Sequence, residues 1–209
     1  QFDVSRTVNT LNATTINAST YAGTFQGSLG ASVTMPAGSV IQVVHGRLSS
    51  TVVATGSSGA SDYIVDIGLS ASITPKFSNS NILINVNMYV GCDQTSSSGY
   101  QQSYFIYKNG SELDEVNGDE EGVRQGVAGG INMYDPGGAT QTQYQIARLG
   151  GTHMDFAVGS TSAQTYSVRT RSYSSGPTIY INRSQTFQSS GTDFDHVPQS
   201  TITLTEIAA

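Results

Sequence analysis

The alternation of apolar and polar residues over 82–90, ILINVNMYV, constrains the fold more than any other feature of the sequence. Apolar side chains recur at every second position, namely Ile82, Ile84, Val86, Met88 and Val90. Asn85, Asn87 and Tyr89 share the opposite face. Because successive side chains of a β-strand point to opposite sides of a sheet, this spacing predicts a strand with one buried face.

Weaker alternation of the same period recurs along the chain, at 40–48, 63–74, 100–108, 141–149, 154–158, 165–173, 178–183 and 201–207. Turn sequences separate these segments, as in GSSG at 56–59 and KNG at 108–110. No segment resembles a helix longer than a turn or two. About eight to ten evenly spaced strands predict an all-β fold, a jelly-roll-like antiparallel β-sandwich. Periodicity does not give the order of the strands.

Residues 11–20, LNATTINAST, repeat one five-residue unit. One apolar side chain in five residues is too sparse to bury either a helix or a strand within a single chain. We therefore expect an extended arm that becomes ordered by adding a strand to another subunit. A flexible linker is the other interpretation. The residues expected to attach the arm are Leu11, Ile16, Tyr21 and Phe25.

The arm is predicted to cover residues 1–36 and the β-sandwich, called the knob below, residues 37–209. Pro36 and Gly38 mark a hinge between them. Burial of the arm against sister arms makes a homo-oligomer, and burial against other proteins of a larger assembly makes an anchor. Both alternatives describe a component of an assembly.

Charge excludes one large class of partners. The net charge is −6 and the isoelectric point is near 4.8, whereas nucleic-acid binding needs a basic stripe. The densest basic group, Arg169, Arg171 and Arg183, could form a small anion patch, but solvated strand faces or subunit contacts are favoured. No apolar run approaches about 18 residues, so membrane insertion is not predicted. The one cysteine, Cys92, excludes an intrachain disulfide.

No catalytic residue, metal or cofactor is predicted. His45, His153 and His196 lack the spacing of metal ligands, and each is expected to be a surface or hydrogen-bonded residue. The nucleophile elbow of hydrolases, the phosphate-binding loop and the dinucleotide fingerprint are all missing from the sequence.

The one acidic cluster, ELDEVNGDEEG at 112–122, leaves three interpretations open. A solvated acidic loop is favoured, because these residues follow a KNG turn and form one contiguous segment. Paired carboxylates for glycoside cleavage normally flank a cleft, which counts against catalysis. The third interpretation is a calcium site, although the spacing misses the EF-hand pattern. Its ligands would be Asp114, Asn117, Asp119 and Glu121.

Tyrosines are frequent in the central part of the knob, at positions 89, 100, 104, 107, 134 and 144. Aromatic residues flanked by Ser, Asn and Gly form adaptable recognition surfaces. Tyrosine also fits any half-buried strand, and the sequence does not separate these alternatives. A recognition surface, if present, is expected to include Tyr100, Tyr134, Asp114 and Glu115.

Several ordered motifs resemble the distal β domain of tail-fibre-like and other surface structural proteins of tailed bacteriophages, especially phages of marine bacteria and cyanobacteria. The motifs are PAGSVIQVVHGRL (36–48), DYIVDIGLSASITPKFSNSNILINVNMYVG (62–91), YFIYKNGS (104–111), TIYINRS (178–184) and STITLTEIAA (200–209). The resemblance spans residues 36–209 and departs within 112–160, where the acidic loop and GGINMYDPGGA are peculiar to this chain.

The resemblance implies a virion protein, typically a homotrimer, without enzymatic activity. The leading hypothesis is a trimeric fibre-like knob on the particle surface that attaches to a glycan or protein of the host, with avidity multiplying a weak site. The alternative is a capsid decoration, cement or head-fibre protein that is anchored to the shell by its arm. A capsule-degrading enzyme is a third and less favoured hypothesis.

Overall fold

The structure is a computed structural model, and it describes residues 35–55, 64–91, 101–122, 125–133, 142–172, 178–186 and 196–209. The chain divides into Gln1–Val33 and the compact unit Thr34–Ala209. The arm residues Leu11, Ile16, Tyr21 and Phe25 lie outside the described ranges, so their role stays a prediction.

The described part of the knob consists of strands and two short 3-10 turns. The strands are β1 (Val40–Leu48), β2 (Val52–Thr55), β3 (Ile64–Ile73), β4 (Asn81–Gly91), β5 (Gln101–Lys108), β6 (Ser111–Glu112), β7 (Gly129–Asn132), β8 (Ile146–Asp155), β9 (Gln164–Ser172), β10 (Thr178–Ile181) and β11 (Ser200–Ile207). The 3-10 turns span Asp114–Val116 and Thr142–Tyr144. The prediction of an all-β fold is confirmed.

The strands form two antiparallel sheets that pack as a sandwich. Sheet A has the order β1-β11-β4-β8. Strand β10 pairs with the end of β4, on the same edge as β11, and β2 pairs with β10. Sheet B has the order β3-β9-β5-β7, with β6 also paired to β5. The three short strands β2, β6 and β10 can be left out and the remaining eight strands numbered 1 to 8 in chain order. The sheet orders are then 1-8-3-6 and 2-7-4-5, which is the jelly-roll arrangement. The structure thus supplies the strand order that periodicity could not give.

Strand β4 is the centre of sheet A, and its alternation is confirmed. The five apolar residues of 82–90 are each at most 2% exposed. They pack against the inward residues of sheet B, among them Leu69, Ile106 and Val168. Burying each aliphatic side chain contributes about 1.5–3 kcal/mol to folding. The opposite face of β4, with Asn85, Asn87 and Tyr89, remains partly or fully exposed.

Strand β8 corrects the sequence prediction. Separate strands at 141–149 and 154–158 are wrong, because one strand runs from Ile146 to Asp155 through Gly150 and Gly151. A Cβ on Gly150 would lie 2.0 Å from the carbonyl oxygen of Val86, and one on Gly151 would lie 2.9 Å from the hydroxyl of Tyr104. The two glycines therefore allow close approach rather than interrupt the strand.

Three short strands were not predicted. Strand β2 has only four residues, β6 has two, and β7 begins with two glycines that break the alternation. A Cβ at Gly129 of β7 would lie 2.6 Å from the ring of Tyr104, so that glycine is needed to seat the strand against β5.

Candidate functional site

The outer face of sheet A is an open, mainly polar surface, which we call the open face. It is built by the outward residues of β1, β11, β4 and β8, which the pairing register aligns in rows across the four strands. Its residues are Val43, His45, Arg47, Thr201, Thr203, Thr205, Leu83, Asn85, Asn87, Tyr89, Arg148, Gly150, Thr152 and Met154. Each of them is partly or fully exposed.

One row of the open face is linked by hydrogen bonds between neighbouring strands. His45 Nδ1 lies 3.0 Å from Thr203 Oγ1, and Asn85 Nδ2 donates to Thr152 Oγ1 at 2.8 Å. Thr203 and Asn85 face each other in the register between β11 and β4. Hydroxyl and amide groups of neighbouring strands are therefore held at fixed positions on the outer face of the sheet.

A shallow depression of about 380 Å³ lies over the glycines of β8. It is lined by Asn85, Val86, Arg148, Gly150, Gly151 and Thr152. The depression exists because Gly150 adds no side chain to the outward row and β8 approaches β4 closely there. Arg148 stands at its rim, where its Nε donates a hydrogen bond to Asn87 Oδ1.

The charge of the open face is opposite to that of the chain as a whole. Arg47, Arg148 and His45 are exposed on it, and no acidic residue takes an outward position on its four strands. Within the described ranges neither arginine forms a salt bridge, since the two salt bridges there join Lys108 to Asp155 and Arg169 to Asp66. The outward positions of these four strands thus carry two arginines and no carboxylate on a chain of net charge −6, which fits an anionic partner.

The outer face of sheet B is different because much of it is covered. Phe105 and Tyr107 point away from the core, yet they are only 0% and 8% exposed. The guanidinium of Arg169 lies 4.0 Å from the centre of the Tyr107 ring, and Arg171 donates to Gln125. The predicted basic group is thus divided. Arg183 follows β10 of the other sheet, and its guanidinium lies 5.6 Å from the centre of the Tyr180 ring.

The ionisable groups inside the sandwich join the two sheets to each other. Asp155 of β8 is 2% exposed, and its Oδ2 accepts from Tyr166 Oη of β9 at 2.5 Å and pairs with Lys108 Nζ of β5 at 2.8 Å. Burial, together with the hydrogen bond to Asp155, raises the pKa of Tyr166 well above its usual value. Asp155 therefore links sheet A to two strands of sheet B.

A second link between the sheets joins Tyr104 of β5 to His153 of β8, with 2.7 Å between Tyr104 Oη and His153 Nε2. Burial raises the pKa of Tyr104 to about 12 and lowers the pKa of His153. The expectation of a surface or hydrogen-bonded residue is confirmed for each histidine: His45 and His153 form hydrogen bonds, and His196 is exposed.

Glu206 of β11 is fully buried and organises the turn between β3 and β4. Its Oε1 accepts from the amides of Lys76 (2.7 Å) and Phe77 (3.3 Å) and from Ser80 Oγ (2.8 Å). Its Oε2 accepts from Gln42 Nε2 at 2.6 Å. Through these four hydrogen bonds the Glu206 carboxylate fastens the turn to the sheet.

The acidic segment 112–122 is exposed for most of its length. Asp114 and Glu115 are consecutive residues of one exposed 3-10 turn. Asp114, Asn117 and Asp119 line one depression of about 330 Å³, and Glu121 is not part of its lining. Asn117 Nδ2 donates to Glu112 Oε1 at 2.8 Å. Within the described ranges no group of three or more His, Cys, Asp or Glu side chains is placed to hold a metal ion.

The tyrosines that the structure describes differ in exposure. Tyr104 and Tyr107 are buried, so they are excluded from any recognition surface, whereas Tyr144 is 54% exposed. Tyr100 and Tyr134 lie outside the described residues, and their proposed role stays a prediction. The open face was missed by the sequence analysis. The signal that could have found it is the polar outer positions of β4 and β11, Asn85, Asn87, Thr201, Thr203 and Thr205.

Comparison with protein-family models and with curated proteins found no match to this chain. In the part of the chain that the structure describes, no helix has the length and apolar character needed to cross a membrane.

Proposed function

We propose that this chain is a non-enzymatic surface structural protein of a tailed-phage virion, a trimeric fibre-like knob that attaches the particle to its host. The observation that carries the proposal is the open face of sheet A. It is an outer face of four strands that presents hydroxyl, amide and guanidinium groups to the solvent. A rigid sheet holds such groups at fixed positions, which reduces the entropy lost on binding.

A structural role for the interior supports the proposal. Asp155, Tyr166 and Lys108 bond to one another across the sheets, as do Tyr104 and His153. Their bonds hold the sandwich together. The jelly roll also occurs in viral capsid and lectin domains, which is support by analogy of fold alone.

The trimer and the role of the arm rest on the sequence. The doubled unit with Leu11 and Ile16 needs partners to bury its apolar residues, and three copies of a weak site bind a surface by avidity. Sedimentation velocity of the full chain should give a single species of three times the chain mass, and removal of residues 1–36 should give a monomer. A monomeric full chain at micromolar concentration would refute this part of the proposal.

Attachment is tested by competition. The purified chain should bind host cells and lower the adsorption of the phage that carries it. Heat-denatured chain serves as the control. Failure of the folded chain to bind cells, combined with its presence on the capsid, would favour the alternative role as a decoration, cement or head-fibre protein. Release of oligosaccharides from host polysaccharide, lost on Asp114→Ala or Glu115→Ala, would instead favour an enzyme.

A further inference from the structure

We propose that the depression over Gly150 on the open face binds an acidic polysaccharide, with the carboxylate of one uronic acid residue paired to Arg148. The inference rests on the proposed attachment function and names the ligand class for that surface.

Charge selects the sign of the ligand. Arg148 is exposed at the rim, and Arg47 and His45 lie on the same face, without an acidic residue at any outward position of the four strands. Among the described residues, Asp155 and Glu206 are buried and Asp66 accepts a hydrogen bond from the amide of Gly68. The other carboxylates belong to the 112–122 segment. A guanidinium binds a carboxylate through two parallel hydrogen bonds, so one arginine suits the single carboxylate of a uronic acid.

Arg148 is positioned before any ligand arrives. Its Nε donates to Asn87 Oδ1, and within the described part of the chain its terminal Nη groups bond to no other side chain. The side chain is thus held from one edge of the guanidinium, and the Nη groups remain available to an incoming anion. A side chain fixed in this way loses little conformational entropy on binding.

The remaining walls offer groups that suit sugar hydroxyls. Asn85 and Thr152 are exposed and bonded to each other at 2.8 Å, so their orientation is fixed, and each retains further hydrogen-bonding capacity. Tyr89 faces Arg148 in the register between β4 and β8 and is partly exposed beside the depression. Amide, hydroxyl and aromatic groups around one arginine form a surface that is chemically complementary to an acidic sugar.

The shape of the depression suits a short length of a polysaccharide. The depression has a volume of about 380 Å³ and a floor of backbone at Gly150 and Gly151. This volume is near the lower end of the range for small-ligand sites, roughly 300–1,000 Å³. The depression is open to the outer face of sheet A, so a polymer can lie across it and extend at both ends.

The test compares polygalacturonate with its methyl ester, which has the same backbone without the charge. Biolayer interferometry at about 0.1 M ionic strength, where the Debye length is about 10 Å, should show binding of the wild-type chain to polygalacturonate and about tenfold weaker binding to the ester. Arg148→Ala should weaken binding to polygalacturonate about tenfold or more, from the loss of one charge-assisted pair. Thr152→Glu, which places an acid in the depression, should weaken it as well.

The matched control is Lys76→Ala, which removes one positive charge from an exposed position in the turn after β3. It should change binding less than twofold, because the screened field of a remote charge contributes little. Equal losses for Lys76→Ala and Arg148→Ala would overturn the proposal, since they would show a response to net charge alone. Absence of wild-type binding to polygalacturonate would also overturn it.

Two further readouts separate this inference from the proposed function. The trimer should survive Arg148→Ala in sedimentation, and its dissociation would show that the open face is a subunit interface instead. Equal adsorption of the wild-type and Arg148→Ala chains to host cells would refute the polysaccharide site and would leave the attachment function unchallenged. A chain that binds neither cells nor polygalacturonate would contradict both.

Discussion

Replacement of Asp155 by alanine tests how the two sheets are held together. Asp155 is 2% exposed and bonds to Tyr166 Oη and Lys108 Nζ. The variant leaves the Tyr166 hydroxyl buried without an acceptor, which costs about 1–3 kcal/mol. Lys108 is 20% exposed, so water can replace part of its lost partner, and we add only about 1 kcal/mol for that pair. The free energy of unfolding should therefore fall by about 3 kcal/mol.

A double-mutant cycle makes the prediction specific to the bond. Tyr166→Phe alone should lower the free energy of unfolding by about 1–2 kcal/mol, because Asp155 keeps Lys108 as a partner. The double variant should lose less than the sum of the single losses, by about 1 kcal/mol or more, since the orphaned hydroxyl is absent.

Equilibrium urea unfolding followed by tyrosine fluorescence measures both quantities. The dependence of the unfolding free energy on urea should be unchanged, because the folded surface is the same. Glu120→Ala, at an exposed position of the acidic segment, is the matched control and should stay within about 0.5 kcal/mol of wild type. A loss below about 1 kcal/mol for Asp155→Ala, or strict additivity in the cycle, would refute this account of the interior.

The remaining predictions concern stability at three other positions. Glu206→Ala should cost about 3 kcal/mol or more in urea unfolding, because four donors lose their buried acceptor; a loss below about 1 kcal/mol would contradict this. Burial lowers the pKa of His153 in the folded protein. The contribution of His153 to the free energy of unfolding is therefore present above the pKa of the unfolded state, about 6.5, and is lost as the pH falls through the pKa of the folded state. The melting temperature of wild type should therefore drop between pH 7.5 and pH 5 by more than that of His153→Gln, and parallel curves would refute the assignment. Gly150→Ala should abolish folded expression or lower the melting temperature by more than 10 °C, about 3 kcal/mol at this size, whereas Gly130→Ala, whose added Cβ meets its nearest atom at 3.4 Å, should be nearly neutral.

Sequence periodicity predicted the strands whose two faces differ in chemistry. Strand β4 alternates strictly, and the structure buries its apolar face and exposes its amides. Periodicity divides strand β8 in two, because Gly150 and Gly151 resemble a turn when their neighbours are unknown. Their role depends on the backbone of β4 and the hydroxyl of Tyr104, which are distant in sequence.

The open face could not be predicted for a related reason. Its rows join β1, β11, β4 and β8, so residues as distant as His45 and Thr203 become neighbours only through the pairing register. For Tyr104 and Tyr107 the sequence leaves open a recognition surface or a half-buried strand position. The fold decides against the recognition surface, because it buries them on the two sides of sheet B. Residue types indicate chemistry, and the strand order decides which of them meet the solvent.

Localisation of the chain in the phage particle tests the central proposal most directly. Cryo-electron microscopy of particles labelled with an antibody against the knob should place the label at the distal end of the tail, with three copies around one axis. Label on the capsid shell alone would contradict the attachment role and favour decoration of the capsid, and particles without the chain would contradict the proposal altogether.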